Sequence, residues 1–400
     1  MTTRRDVLRA AGLGTVAATL PALAFAKAAT DTRFVLVILR GAADGLAIAS
    51  PYGDDDYRKI RGELAIPAPG KEGGSLKLDG MFGLHPSLAG VHEEFNKDQA
   101  LIVHAVASPY RERSHFDGQD VLENGASDVG LLRDGWLNRA LAPLGGSLGH
   151  EIAIAMAVNT PLVLRGENSV TSWAPSRLRD VEESTIRRLQ DLYAEDEFFA
   201  TRLAQAVNSQ EIAGSEAGMP DMRYRNRNAE QVRTMMQATG RFLMAEDGPR
   251  IAVLEAGGWD THANQGTTNG TLANRLAGLD AGLVALRESL GSMWSDTVVA
   301  VVTEFGRTVH VNGTRGTDHG TATAAILLGG AVNGGRVLSD WPGLGKSDLY
   351  EGRDLMPTTD TRSVFKGILA DHLEVPRSVI ESSVFPNSAD APQMRNLIRG

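Results

Sequence analysis

The chain contains no cysteine in 400 residues. That absence excludes disulfides, thiolate metal sites and a cysteine nucleophile, and leaves His, Asp and Glu as the side chains able to hold a metal ion. Positive charge is also in short supply, with 40 Lys and Arg against 49 Asp and Glu, a formal net charge of −9. With no Lys/Arg-rich stripe to neutralise phosphates, nucleic acid is excluded as the main partner. Beyond the first 26 residues, no apolar run is long enough to span a bilayer. Repeats, coiled-coil heptads and low-complexity tracts are missing too. What remains is ordinary for a soluble protein with a sizeable core: 42% apolar and 22% charged residues, in a length that suits one large α/β domain or two smaller ones.

Residues 1–26 stand apart. "TTRRDVLRAAG" leads into the weakly apolar "LGTVAATLPALAFA", which closes on the small-residue pattern Ala24-Phe25-Ala26. These are the parts of an export signal with a cleavage point, and the paired Arg4-Arg5 resembles a twin-arginine signal. The alternative is an amphipathic helix or membrane anchor; the run is short for a span, which favours export. Cleavage would leave an extracytoplasmic, periplasmic protein with no stable span, handled in transit by the twin-arginine translocase. That route carries folded proteins, often with a cofactor in place, a mild pointer toward a metal.

Short aliphatic runs recur along the mature chain: "FVLVIL" (34–39), "ALIVHAV" (100–106), "IAIAMA" (152–157), "IAVLEA" (251–256), "TVVAVVT" (297–303) and "AAILLGG" (324–330). Each has the length of a buried strand. Helical patterns lie between them, such as 274–293 with Leu276, Leu279, Leu283 and Leu286 on one face. Strands apolar throughout and alternating with helices predict an α/β fold, a mainly parallel sheet covered on both faces. Residues 176–247 are charged, Gln- and Arg-rich and without a strand pattern, so they are expected to form a helical insertion or cap in the domain spanning 27–400.

Ligands of open parallel sheets bind beyond the carboxyl ends of the strands. At those ends the sequence places Asp44 in "RGAADG", Ser114 and His115 in "RSHFDG", Asp260 and His262 in "GGWDTH", Glu304 and Arg307 in "TEFGRT", and Asp318 with His319 just ahead of the last run. Taken singly, each has an ordinary explanation. Asp44 suits a turn or cap, Ser114 an N-cap with Asp117 three residues on, and His319 a hydrogen-bonded histidine. As a set of carboxylates and imidazoles at equivalent points of successive strand-loop-helix units, they predict a metal or catalytic cluster. Imidazole plus carboxylate suits zinc, whereas all-oxygen shells suit magnesium, calcium or manganese. Five or six ligands exceed one tetrahedral shell, and two ions about 4 Å apart would use them. Arg307 is either an anion-binding group or a structural ion-pair partner. His104, inside an apolar run, is expected in the core, Trp136 in packing and His85 at a helix start. Tyr193, Phe198 and Phe199 suit a pocket lining or helix packing equally.

The motifs "LRGAADGL", "LHPSL", "RSHFDGQD", "GGWDTH", "TEFGRT" and "DHGTA", in that order, resemble the twin-arginine-exported bacterial family known as domain of unknown function 1501. That family in turn resembles the alkaline phosphatase and sulfatase superfamily. The resemblance implies a three-layer sandwich and a metal-dependent hydrolase of phosphate or sulfate esters or of phosphodiesters. A small anionic ester or a sulfated or phosphorylated glycan would be the substrate, with one or two divalent ions, zinc or else manganese, calcium or magnesium. It implies Ser114 as the nucleophile and Arg307 as a holder of the anion's oxygens. Asp260, His262 and His319 correspond to one metal shell, Asp44 and Glu304 to the other, with His115 or Asp318 as candidates to complete it. Two departures stand out. No Cys-x-Pro-x-Arg motif is present, which excludes a formylglycine-dependent sulfatase, and Glu304-Phe305 replaces the usual Asp-His pair. The second departure favours an alternative, a non-catalytic envelope protein that binds a glycan or protein partner on the same scaffold.

Overall fold

The computed structural model describes residues 31–145, 152–175, 183–213 and 227–400. The expected export segment 1–26 and parts of the 176–247 insertion lie outside the described residues. The described residues divide into a large unit, 31–145, 152–175, 212–213 and 227–400, and a small one, 183–211.

In chain order the strands are β1 (Arg33–Arg40), β2 (Ala49–Ser50), β3 (Leu76–Lys77), β4 (Gly83–Leu84), β5 (Ala100–Ala107), β6 (Ala153–Ala155), β7 (Thr171–Ser172), β8 (Ile251–Gly257), β9 (Thr297–Thr303), β10 (Thr323–Leu328), β11 (Arg336–Leu338) and β12 (Thr359–Asp360). Nine of them make one sheet in the order β11-β5-β10-β9-β1-β8-β6-β7, with β12 also beside β5; β2, β4 and β3 form a small separate sheet. All six apolar runs are strands of the large sheet.

Every pairing in that sheet is parallel except the two made by β10, which runs antiparallel to β5 and β9. An apolar run reads the same in either direction, so this reversal left no mark in the pattern. It has a consequence for the site. Because β10 is reversed, the residues just before it lie at the same edge as the residues just after the other strands, which run parallel to one another. Asp318 and His319, which precede a strand, therefore meet Asp260, His262 and Glu304, which follow strands.

Alternation along β1 supplies two cores. Val35, Val37 and Leu39 pack on one face with Leu276, Leu279, Leu283 and Leu286 of the helix Thr271–Leu290. Phe34, Leu36 and Ile38 pack on the other with Trp136 and with Phe365 and Ile368 of the helix Thr361–Asp371. The result is a three-layer α/β sandwich with a mixed, mainly parallel sheet, and each fully buried aliphatic side chain contributes about 1.5–3 kcal/mol. The long helix also caps a neighbour: Asp280 accepts from the backbone N–H of Gly90 at 3.0 Å and of Val91 at 2.9 Å, at the start of the helix Ala89–Asn96. Those two donors have no partner within their own helix.

Trp136 is buried and stacked on Phe365, with centroids 4.5 Å apart. His85 is buried just ahead of the helix Ala89–Asn96, where Nδ1 accepts from the Ser87 N–H at 3.0 Å. The small unit holds the helix Glu183–Tyr193 and, as far as residue 211, the helix Glu197–Ala213; Tyr193 stacks on Phe199 at 5.3 Å while Phe198 stays largely exposed.

His104 is the core histidine its run implied. It lies against the Phe82 ring at 5.1 Å, edge-on to Trp341 at 5.2 Å, and its Nε2 donates to the Ala49 carbonyl at 2.9 Å. Burial lowers its pKa from 6.5 to about 4. Because the folded value lies below the unfolded one, the unfolded chain takes up more protons between pH 6.5 and 4. The stability held at neutral pH therefore falls as pH drops through that window, by about 3 kcal/mol for this group. Urea unfolding at pH 7.5 and pH 5 should show a smaller pH loss in His104→Gln, whose amide also donates but does not titrate. Equal losses in the two proteins would contradict the assignment.

Candidate metal centre

Four segments meet at the carboxyl edge of the sheet. They are the turn after β8 carrying Asp260 and His262, the end of β9 with Glu304, the segment before β10 with His319, and the start of the helix His115–Asn124. Glycine permits the approach. A Cβ on Gly41, which has φ +119°, would lie 2.6 Å from the Asp260 nitrogen, and one on Gly316 would lie 2.4 Å from the His262 carbonyl. Any side chain at either position would push these loops apart.

Asp260 Oδ1, His262 Nε2 and His319 Nε2 form a nearly equilateral triangle. The carboxylate oxygen is 3.0 Å from the first nitrogen and 3.2 Å from the second, and the two nitrogens are 3.0 Å apart. His115 Nε2 faces the same carboxylate, 3.5 Å from Oδ2. Donor atoms of His115, Asp260 and His319 all lie within 4.8 Å of one another.

The outer nitrogen of every ring is already engaged. His115 Nδ1 bonds Glu304 Oε1 at 2.8 Å, His262 Nδ1 bonds Asp318 Oδ1 at 3.0 Å, and His319 Nδ1 bonds the Arg113 carbonyl at 2.9 Å. Carboxylate and carbonyl oxygens only accept, so the proton of each neutral ring sits on Nδ1 and the Nε2 lone pairs turn inward. Two lone pairs 3.0 Å apart repel unless a cation or a proton lies between them. His115 Nε2, moreover, is buried with no hydrogen-bond partner among the described residues. A tetrahedral zinc shell with bonds of about 2.0–2.1 Å has edges of about 3.3 Å. The triangle therefore fits such an ion, and the outer acceptors are the kind of group that orients histidine ligands.

Burial pushes the Asp260 carboxyl up, but the Arg307 guanidinium, with His262 and His319, outweighs it and holds the group below its ordinary value. Glu304 is likewise raised by burial and brought below the usual range by hydrogen bonds from His115, Gln119 and Thr303. Burial, then the nearby His115, lowers the His319 ring below its ordinary value. The Glu304 hydrogen bond raises His115, and bonds from Asn312 and His262 lower Asp318 despite some burial.

Not every expected residue joins the cluster. Asp44 is fully buried and ion-paired with Arg61, and its Oδ2 also accepts from Gln265 at 2.7 Å. Glu304 is buried one step behind His115 and also accepts from the Gly41 N–H at 2.9 Å; Asp318, which is exposed, stands behind His262. Arg307 is buried, with Nη1 on Asp260 Oδ1 at 2.5 Å, Nε on Thr317 Oγ1 at 3.1 Å and Nη2 on the Thr317 carbonyl. Those bonds make it a partner of Asp260 rather than an open clamp for an anion. Ser114 is the N-cap of the helix His115–Asn124, but its hydroxyl makes no capping bond, and its N–H donates to the Tyr110 hydroxyl at 3.1 Å.

Arg61, Gln265, Arg113 and Asn312 carry much of the surrounding network and were not anticipated. Gln265 closes the "GGWDTHANQ" stretch, and its position beside the expected ligands was the only available signal. Removing Asp44 would leave the buried Arg61 charge unpaired. Asp44→Ala should therefore cost about 3–5 kcal/mol in urea unfolding while zinc affinity stays close to that of the unaltered chain. A large loss of zinc binding with little loss of stability would instead return Asp44 to the ligand set.

Known proteins offer distant likenesses. No curated protein matches the chain. Among solved structures, the C-terminal periplasmic domain of EcEptC from Escherichia coli, in complex with Zn, is similar at 11% identity and TM-score 0.37, covering 78% of this chain and 76% of that one. The phosphonate monoester hydrolase of Agrobacterium radiobacter gives 12% and 0.36, covering 86% and 74%. A Bacteroides thetaiotaomicron protein, BT33494S-sulf, described with the metabolism of multiple glycosaminoglycans, gives 9% and 0.40, covering 90% and 75%. At such scores these likenesses carry no argument about what this chain does. The family match is of another kind: residues 31–384 match the family described as "Protein of unknown function (DUF1501)", and the chain belongs to that family.

Proposed function

We propose that the protein is an exported, metal-dependent hydrolase of small anionic esters, either phosphate or sulfate esters or phosphodiesters, free or carried on a glycan. The observation that carries the reading is the triangle of Asp260 Oδ1, His262 Nε2 and His319 Nε2, with every outer ring nitrogen already committed. Asp260, His262 and His319 would hold a zinc-type ion, with His115 facing it. When bound, such an ion supplies Lewis acidity toward the oxygens of an ester.

The chain's own groups would do the rest. Arg307 holds Asp260 ionised and fixed in direction. Ser114 leads the ten-residue helix His115–Asn124 with a hydroxyl not used in capping, one residue from His115; it would attack the ester as the P–O or S–O bond to the alcohol breaks, its proton passing through water to the leaving alcohol, and a water molecule would then release the anion from the serine. First-turn N–H groups of that helix would help to orient the anion. No helix among the described residues is long and apolar enough to cross a membrane. With the export signal read at residues 1–26, the site would work in the periplasm.

A second reading has one observation behind it. Arg307 is buried with a bond from each of its three nitrogens to Asp260 or Thr317, which turns it away from the anion clamp expected of it and favours a scaffold that binds a glycan or protein partner without turnover.

Elemental analysis of purified protein, followed by assays on nitrophenyl phosphate, bis-phosphate and sulfate esters, tests both readings. The hydrolase should lose activity to a chelator and regain it with zinc. In Asp260→Asn and His319→Ala, kcat/KM should fall by about a thousandfold, roughly 4 kcal/mol of transition-state stabilisation. Ser114→Ala should abolish turnover while retaining metal. Stoichiometric metal with no turnover on any ester would sink the hydrolase and leave the binding scaffold.

A further inference from the structure

The three imidazoles of the centre are tied outward in two different ways. His115 and His262 use carboxylates that were visible in the sequence, but His319 uses a main-chain carbonyl, that of Arg113. A carbonyl serves as an orienting acceptor only if its peptide is held in place, and this one belongs to a residue with φ +61°. That left-handed conformation is unfavourable for any residue with a β-carbon and persists only where its surroundings enforce it.

The enforcing contacts come from a turn far along the chain. Arg113 Nε donates to Asp354 Oδ2 at 2.8 Å, and Nη2 reaches Glu351 Oε2 at 2.5 Å. Asp354 is fully buried, and its Oδ2 also accepts from Thr321 Oγ1 at 2.9 Å. Its backbone closes on Tyr350 in an antiparallel bridge, and the intervening Glu351 also has a positive φ, +53°. From the same turn, Arg353 Nη2 donates to the His319 carbonyl at 2.8 Å. His319 is thus gripped twice, at its ring through Arg113 and at its main chain by Arg353, and neither grip occupies Nε2.

We propose that the turn Tyr350–Asp354 is a brace for the metal centre, with Arg113 and Asp354 as positioning residues that set the direction of the His319 ring. The inference rests on the metal-centre reading above. A ring whose Nδ1–H has a fixed acceptor loses its freedom to rotate and becomes a better donor at Nε2. Without the guanidinium anchor, the strained Arg113 peptide relaxes and its carbonyl leaves the ring. An ion pair that only stabilised the fold would lower stability and leave metal affinity alone.

The zinc dissociation constant of the whole chain, measured by competition with a chromophoric chelator, separates these roles. Arg113→Ala and Asp354→Asn should each bind zinc about ten- to hundredfold more weakly, and Arg113→Lys, which keeps one charge for Asp354, should recover part of the loss. Lys59→Ala, which breaks the exposed pair with Asp56, should leave affinity unchanged. If Asp354→Asn does not fold, Arg113→Ala decides alone, since that side chain is partly exposed. Equal affinity in Arg113→Ala and the unaltered chain overturns the brace and leaves the metal centre standing, as does a matching loss in Lys59→Ala. An unaltered chain that binds no zinc overturns both.

Discussion

The loops at the carboxyl edge of the sheet converge on one exposed carboxylate, that of Asp260. Left alone there, the group would resist ionisation, because leaving water costs a carboxylate more than it costs the acid. Arg307 reverses the balance from the loop after β9, His262 adds its ring from the same turn as Asp260, and His319 and His115 add theirs from two other segments. All of these contacts but that of His262 draw a different part of the chain toward the same atoms. Glycines at 41 and 316 let the backbones come close enough for this to happen.

Around that carboxylate the polar groups are arranged in depth. Inward-facing Nε2 atoms form the centre, and a second layer of Glu304, Asp318 and the Arg113 carbonyl fixes their directions. Behind these lie Asp354 under Arg113 and the buried Asp44–Arg61 pair. Asp44 and Glu304, the acids expected to hold a second ion, are in this chain engaged by a guanidinium and by an imidazole. The arrangement concentrates coordinating chemistry on one cluster and uses the remaining carboxylates to stiffen it. Stiffness matters because a ligand set misplaced by a fraction of an ångström loses affinity that no further contact restores.

Much of the fold was legible because burial on both faces leaves a plain mark. Six all-apolar runs became strands of one sheet, and the leucine spacing of 274–293 became the helix Thr271–Leu290, displaced by three residues at each end. The core assignments of His104 and Trp136 follow from the same logic, since residues within or beside such patterns have little else to touch. The direction of β10 was not legible, because apolar alternation carries no polarity. Site roles were legible only as a set. Asp260, His262 and His319 meet as the strand-end rule anticipated, whereas Glu304 and Asp318 stand one bond further out and Asp44 faces Arg61.

By itself, then, the sequence determined which residue types were available for chemistry and which loops would carry them. Lack of cysteine restricts ligands to nitrogen and oxygen, and strand-end placement follows from where a parallel sheet leaves its loops. Only the tertiary structure decided which of those side chains face one another and which are neutralised from behind. A carboxylate after a strand looks the same in one dimension whether its partner is an imidazole or a guanidinium. That partner comes from a segment tens to hundreds of residues away, as Arg113 does for Asp354 and Arg307 for Asp260, brought into range by packing rather than by spacing.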